Sequence, residues 1–306
     1  MKTFSATDAA ISGFGLVREH PKAVGVWVLI STIVSAVVAL ITVGLFGPQL
    51  EAFANLSQNS ASPDPAETLR LMSGLAPAMF CSLIYSIAFY SVLMAAIYRA
   101  TLRPADSRQA YLRFGADELR QAGVSILLVL LFFAAYLGIV LLLAILIGVL
   151  SAISKPLGGL AAVLLVPAGL GALLYFAVRL SLANVLTFAK GKIDIFGSMA
   201  LTKGRFWPMF GAYLVATILA VVVYLLLFLI VTLLGGALSG FNMETLSDLM
   251  QSQTTSLESL MTPTGILSLA VGGLIAVLTS VTIYTPSAMI YREIGADPTT
   301  ESDYFA

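Results

Sequence analysis

Six long apolar runs dominate the chain. Residues 23–50, 71–98, 121–154, 206–243 and 259–291 carry no Asp, Glu, Lys or Arg, and 156–189 is interrupted only by Arg179. Crossing a bilayer takes about 20 mainly apolar residues in a helix. The pattern therefore predicts an all-α, polytopic six-helix transmembrane bundle, a single integral membrane domain over 1–306, with spans near 23–47, 76–99, 122–152, 159–187, 209–237 and 264–290. Several runs exceed one bilayer thickness, which leaves room for tilt or for ends lying at the interface. The first run resembles a secretion signal in following Lys2 and preceding Ala52-Phe53-Ala54. Its apolar core is longer than the 7 to 15 residues such a signal uses, so it is read as a retained span.

Composition agrees with the pattern. Of 306 residues, 59% are hydrophobic and 10% charged, against roughly 25% charged in soluble domains, and the mean hydropathy is +0.97. Lys plus Arg equals Asp plus Glu at 16 each. That balance gives no reason to expect nucleic acid as a partner.

The position of the charges is more informative. Thirteen of the Lys and Arg residues lie ahead of span one, between spans two and three, between spans four and five, or after span six; the opposite loops hold Arg70 and Lys155 alone. Basic loops stay on the cytoplasmic side, so both termini are expected in the cytoplasm and the setting to be a bacterial inner membrane. Six acids (Glu51, Asp64, Glu67, Glu244, Asp248, Glu258) fall on the other side.

Short likenesses recur within the chain. Residues 8–22, 108–120 and 194–207 echo one another, Ile97-Tyr98-Arg99 is matched by Ile290-Tyr291-Arg292, and Glu67-Thr68-Leu69 by Glu244-Thr245-Leu246. They suggest three two-helix units over 1–100, 101–190 and 191–293, each opened by a short cytoplasmic interfacial helix. Thr7, Asp106 and Asp194 are candidate caps for these helices, whose Lys and Arg would reach anionic headgroups. Anchoring the topology and docking a cytoplasmic partner both remain open as their role. On the outer side, Leu246, Leu249, Met250, Leu257 and Leu260 share a helical face within 242–263, the pattern of a lid or of a segment resting on lipid. Gly236 and Gly240 form a G-x-x-x-G, a weak hint of an oligomer.

Arg179 is the one charged residue that interrupts the six apolar runs, which makes it the first functional candidate. Lys190 marks the end of its span eleven residues on, so an unbroken helix would carry Arg179 roughly 16 Å inward. Tying helices together or capping broken backbone is one reading; binding an anion or phospholipid headgroup, with Ser181 and Asn184 sharing the site, is the other. Hydroxyls in spans two and six, chiefly Tyr90, Thr282 and Tyr284, could line a cavity, or simply pack helices. Pro286 is expected to kink span six.

Parts for other chemistry are scarce. Cys81 is the only cysteine and His20 the only histidine, and no acid lies within a span. Phosphate-loop, zinc-protease and serine-hydrolase motifs are lacking. No enzyme, cofactor or metal is therefore expected.

The stretch Arg179-Leu180-Ser181-Leu182-Ala183, with Ser198-Met199-Ala200-Leu201-Thr202-Lys203-Gly204-Arg205 and Phe206-Trp207, resembles bacterial membrane proteins of the glycerophosphoryl diester phosphodiesterase membrane-domain family. The specific residues cover only the region between spans four and five. In some members of that family the membrane part is fused to a phosphodiesterase barrel, which takes about 250 residues that this chain does not have. The resemblance thus implies the membrane part without its enzyme. Three functions are open: a non-enzymatic module that handles lipid or scaffolds a membrane or cytoplasmic protein partner, a small-molecule transporter or permease subunit, and, least supported by the residues, a membrane-embedded enzyme.

Overall fold

Caps set where the helices of this chain begin. Ser5 accepts from the Asp8 N–H at 3.3 Å to start α1 (Ala6–Glu19). Asp64 accepts from the Ala66 N–H at 3.0 Å and, with Pro65 in the first turn, starts α3 (Pro65–Leu102). Thr262 and Pro263 do the same for the last described helix, Pro263–Ile294. A side-chain oxygen satisfies an amide with no partner in the helix, and proline has no amide to leave unpaired. The structure is a computed structural model and describes residues 4–59, 64–238 and 256–295.

The other helices are α2 (Pro21–Asn59), α4 (Ala116–Ile153), α5 (Lys155–Leu180), α6 (Ala183–Lys190), α7 (Gly197–Leu201), α8 (Phe206–Leu238) and α9 (Leu257–Met261); Pro263–Ile294 is α10. Six segments are long and apolar enough to cross a membrane: α2, α3, α4 with the turn before it, α5 running into α6, α8 and α10. The chain is a multi-pass helical membrane protein. The helices outrun the predicted spans; the 38 residues of α3 measure about 57 Å, well beyond a hydrocarbon core of about 30 Å. Helix α10 runs through Pro286 without interruption.

Helix α10 is the hub, packing against α1, α2, α3, α6 and α8, while α4 pairs with α5 and meets α3 and α6 near its own start. The buried cluster draws on Trp27, Leu93 to Tyr98, Val185, Phe188, Met209, Ala212, Val277 and Val281. They lie in the helix halves nearest the end where the loops 103–115 and 191–205 turn, with Val277 at the middle of α10. This is the basic end of the bundle. Away from it exposure rises: 79–84 of α3 are exposed one after another, and none of the central apolar stretch of α4 is buried.

The three segments expected as interfacial helices differ from one another. The first, α1, has 14 residues; the second, 108–111, is a turn; the third, α7, has five. Their sequence likeness does not extend to local structure, because different neighbours hold each one. Nor does α1 rest on lipid alone: Ala9, Ala10, Gly13 and Leu16 are buried against α10 and α8, while Ile11 and Phe14 face outward. In the outer segment, Leu260 is buried and Leu257 exposed; Leu246, Leu249 and Met250 lie outside the described residues, as does Gly240.

Gly13 sets how closely α1 approaches α10. A Cβ on it would fall 2.8 Å from the Thr282 Cα and 3.0 Å from the Val281 carbonyl oxygen, both backbone atoms that cannot swing aside; one on Gly15 would meet nothing within 4 Å. Gly13→Ala should therefore destabilise the protein by about 1–3 kcal/mol. Gly15→Ala should leave it unchanged or raise stability by up to about 1 kcal/mol through helix propensity. Melting of the two variants in detergent, read by retained monodispersity, tests this pairing.

Candidate functional site

The span carrying Arg179 is discontinuous. Helix α5 ends at Leu180, Ser181 and Leu182 form a turn, and α6 starts at Ala183. A break in a span leaves backbone groups that must find partners, because no water is at hand. Ser198 supplies them: its hydroxyl accepts from the Leu182 N–H at 3.2 Å and donates to the Arg179 carbonyl at 2.8 Å. Thr202 donates to the same carbonyl at 3.1 Å. The Arg179 guanidinium answers from its own side, donating to the Met199 carbonyl at 2.6 Å and lying 5.9 Å from the Tyr175 ring. The S-M-A-L-T-K-G-R stretch is thus the strap that repairs this break.

The depth expected for Arg179 assumed an unbroken helix to Lys190, an assumption that the turn at 181–182 removes. The residue sits in the last turn of α5, with its guanidinium on α7. Two further anchors hold α7 there. Asp194 accepts from the Gly197 N–H at 2.9 Å and from Lys190 Nζ at 2.9 Å. The Lys190 hydrogen bond, then that from Gly197, holds the Asp194 carboxyl below the usual carboxylate range. Its contribution is complete at neutral pH and is lost only as the pH falls through that lowered value.

The other candidate residues do not gather around Arg179. Ser181 donates to the Val178 carbonyl at 2.8 Å and faces the Tyr213 hydroxyl, outside regular hydrogen-bond geometry. Asn184 meets α4 through its backbone carbonyl, which accepts from Gln121 Nε2 at 2.9 Å, while its side-chain Oδ1 is buried without a hydrogen-bond partner among the described residues. No hydrogen bond joins Arg179, Ser181 and Asn184 among the described residues. Thr282 donates back to the Leu278 carbonyl at 2.8 Å and lies under Gly13. Ser280, Thr285 and Ser287 on the same helix also donate to carbonyls three or four residues back. Tyr284 sits near Tyr90, two positions and thus most of half a turn away from Thr282. The three residues do not line one cavity.

The strongest electrostatic feature involves a residue that the apolar pattern alone assigns to a loop. Helix α3 continues past its apolar run to Leu102, so Arg99 belongs to it and is only 2% exposed. Its guanidinium pairs with Glu118 at 2.8 Å, reaches Asp117 at 3.5 Å and donates to the Tyr111 carbonyl. Arg103 and Arg120 also meet Asp117, and Arg99 and Arg103 both lie over the Phe188 ring of α6. Both acids lie in the first turn of α4, where the helix dipole favours negative charge. The signal for this cluster is the apolar-to-charged spacing itself: one basic residue directly after Tyr98 and two acids opening the next span.

Between these helices, Gln109, Ala110 and Tyr111 have φ of 52°, 53° and 64°. Left-handed backbone costs roughly 1–2 kcal/mol per non-glycine residue, so something must hold the turn. Arg99 takes the Tyr111 carbonyl, Trp27 Nε1 donates to that of Ala110 at 2.7 Å, and the Tyr111 hydroxyl donates to that of Pro104 at 3.0 Å. His20 meets the Tyr111 ring edge-on at 5.4 Å. Chemically this is a clamp, made of paired charges and hydrogen-bonded backbone. Among the described residues, no three His, Cys, Asp or Glu side chains gather to hold a metal.

No family model, curated protein or solved structure matches the chain. The resemblance to the phosphodiesterase membrane-domain family rests on residues 179–183 and 198–207, which the structure places in the α5–α7 repair and the start of α8.

Two sets of variants test these roles. Ser198→Ala should cost about 1–3 kcal/mol, since it leaves the buried Leu182 amide unpaired. Arg99→Met should cost about 3–5 kcal/mol by stranding Glu118, and Arg99→Met with Glu118→Gln should recover much of that. Unfolding in mixed micelles with increasing denaturing detergent gives these numbers and that for Glu118→Gln alone; a double-variant loss equal to the sum of the two single losses would show that the pair is not coupled.

Proposed function

We propose that the chain is a non-enzymatic membrane protein that handles phospholipid, its basic end in the cytoplasm of a bacterial cell and its exposed apolar helix faces in contact with acyl chains. Those faces carry this reading. Leu83, Ile84, Leu130, Phe133, Leu141 and Leu142 are each more than half exposed, within the spans α3 and α4. Apolar surface of this extent needs an apolar cover, which acyl chains supply. The bias of basic residues toward one end supports the orientation. Arg179 takes a structural part in this reading, as the partner of Met199. The membrane part of the phosphodiesterase family is a fitting relative on the likeness of 179–183 and 198–207.

Purified in mild detergent, the protein should carry phospholipid adducts in its native mass spectrum. Phospholipid added back after stripping should raise the melting temperature by several degrees. Arg179→Ala should retain the same adducts. An adduct-free spectrum together with melting indifferent to phospholipid would remove this reading and favour a protein partner on the exposed helix faces.

A further inference from the structure

A cleft of about 200 Å³ opens at the basic end between α1, the end of α3 and the end of α10. Its α1 wall is a stripe made by helical spacing, Asp8, Ser12, Gly15 and Glu19, which are separated by four, three and four positions. Across from it stands Arg292 of α10, with His20 at the end of α1 and Leu16 below. Among the described residues, Asp8, Glu19 and Arg292 form no ion pair within 4.0 Å and no side-chain hydrogen bond, nor does Glu293, whereas at the same end Asp106 pairs with Arg113, Asp117 with Arg99, Arg103 and Arg120, Glu118 with Arg99, and Asp194 with Lys190. Opposite charges are thus set around one space without meeting across it.

The walls are fixed. Gly13 presses α1 onto the α10 backbone, one turn from Leu16. Thr101 and Thr285 commit their hydroxyl protons to Ile97 and Val281 within their own helices. They turn only oxygen lone pairs outward, so the proton donors left in the cleft are those of Arg292 and His20.

We propose that this cleft binds a small zwitterion bearing an ammonium and a phosphate, the class of aminoalkyl phosphates. The Arg292 guanidinium and the His20 imidazole, both lining the cleft, are donors that suit a phosphate, which Arg can grip with two parallel hydrogen bonds. The acids on α1 suit the ammonium. Asp8 and Glu19 are about 16 Å apart along the helix, so a ligand this small meets one of them. Two sources share this chemistry: the headgroup of an ethanolamine phospholipid, whose glycerol would point toward the exposed Ile11 and Phe14 flank of α1, and a free aminoalkyl phosphate. Only the first source rests on the lipid reading above; the site itself does not need acyl chains on the helix faces.

The test uses the full chain in detergent, with melting temperature followed against added phosphoethanolamine, dihexanoyl phosphatidylethanolamine, ethanolamine and glycerol 3-phosphate. Phosphoethanolamine or the short-chain lipid should raise melting saturably, and neither single-charge compound should. A response to the lipid alone makes the headgroup the source, and a response to both makes the aminoalkyl phosphate sufficient. Gly15→Leu, whose side chain enters open space in the cleft, should melt at or above wild type without ligand and lose the response. Arg292→Gln should weaken half-saturation by about tenfold, and one of Asp8→Asn and Glu19→Gln should do likewise. The proposal is overturned if neither zwitterion gives a saturable rise, if Gly15→Leu responds as wild type does, or if ethanolamine or glycerol 3-phosphate acts equally well. Absence of lipid adducts in the mass spectrum combined with a response to phosphoethanolamine would leave this site standing and remove only the lipid reading.

Discussion

The guanidinium of Arg99 joins more of this molecule than any other group. It sits at the end of α3, pairs with the first turn of α4, holds the Tyr111 carbonyl and covers the Phe188 ring of α6. A charge this deeply buried is tolerable only with its partners in place. Its pairing therefore fixes how spans two and three leave the basic end, and with them the position of α6. The left-handed turn at 109–111 is a by-product of that demand: the chain has to present the Tyr111 carbonyl inward and Glu118 beside it within a few residues.

The contrast between the two ends follows from the same logic. Near Arg99 the helices share hydrogen bonds, paired charges and small residues, so their separation is set. Farther out the contacts are apolar or at small residues: α5 meets Ile139 and Leu143 at Gly169, and α10 meets the Thr32 backbone at Gly273, while much of the Leu, Val and Phe on α3, α4 and α8 stays exposed. A base held by polar groups and a far end held by apolar packing are what this distribution of polar groups produces.

The six spans are legible in the sequence because an uncharged apolar run of about 20 residues or more is what a helix in hydrocarbon requires and what a soluble fold rarely contains. The positions of single polar residues are not legible, since they depend on contacts made far along the chain. The segment around Ser181 contains neither glycine nor proline, the usual marks of a broken helix. The break is stabilised by Ser198 and Thr202 from the strap that follows, a relation that no local pattern reveals. Arg99 escapes for a simpler reason: the apolar run stops at Tyr98, whereas the helix runs on to Leu102. Thr282, Ser280 and Thr285 are visible as hydroxyls in a span; that they bond their own helix emerges only once neighbouring helices are placed. Ile97-Tyr98-Arg99 and Ile290-Tyr291-Arg292 look alike in sequence, yet Arg99 is enclosed and Arg292 faces a cleft.

The seating of Gly13 on the Thr282 backbone also orders events during synthesis. Helix α1 is made before any span, but the surface that receives Ala9, Gly13 and Leu16 belongs to α8 and α10, the last two spans. Until both arrive, the apolar stripe of α1 lacks the seat it has in the finished fold. The turn at 109–111 is free of this delay, because Trp27 precedes it in the chain. The fold therefore sets in two stages, a clamp around Arg99 early and a clasp between first and last helices at the end. The cleft beside that clasp exists only in the completed molecule.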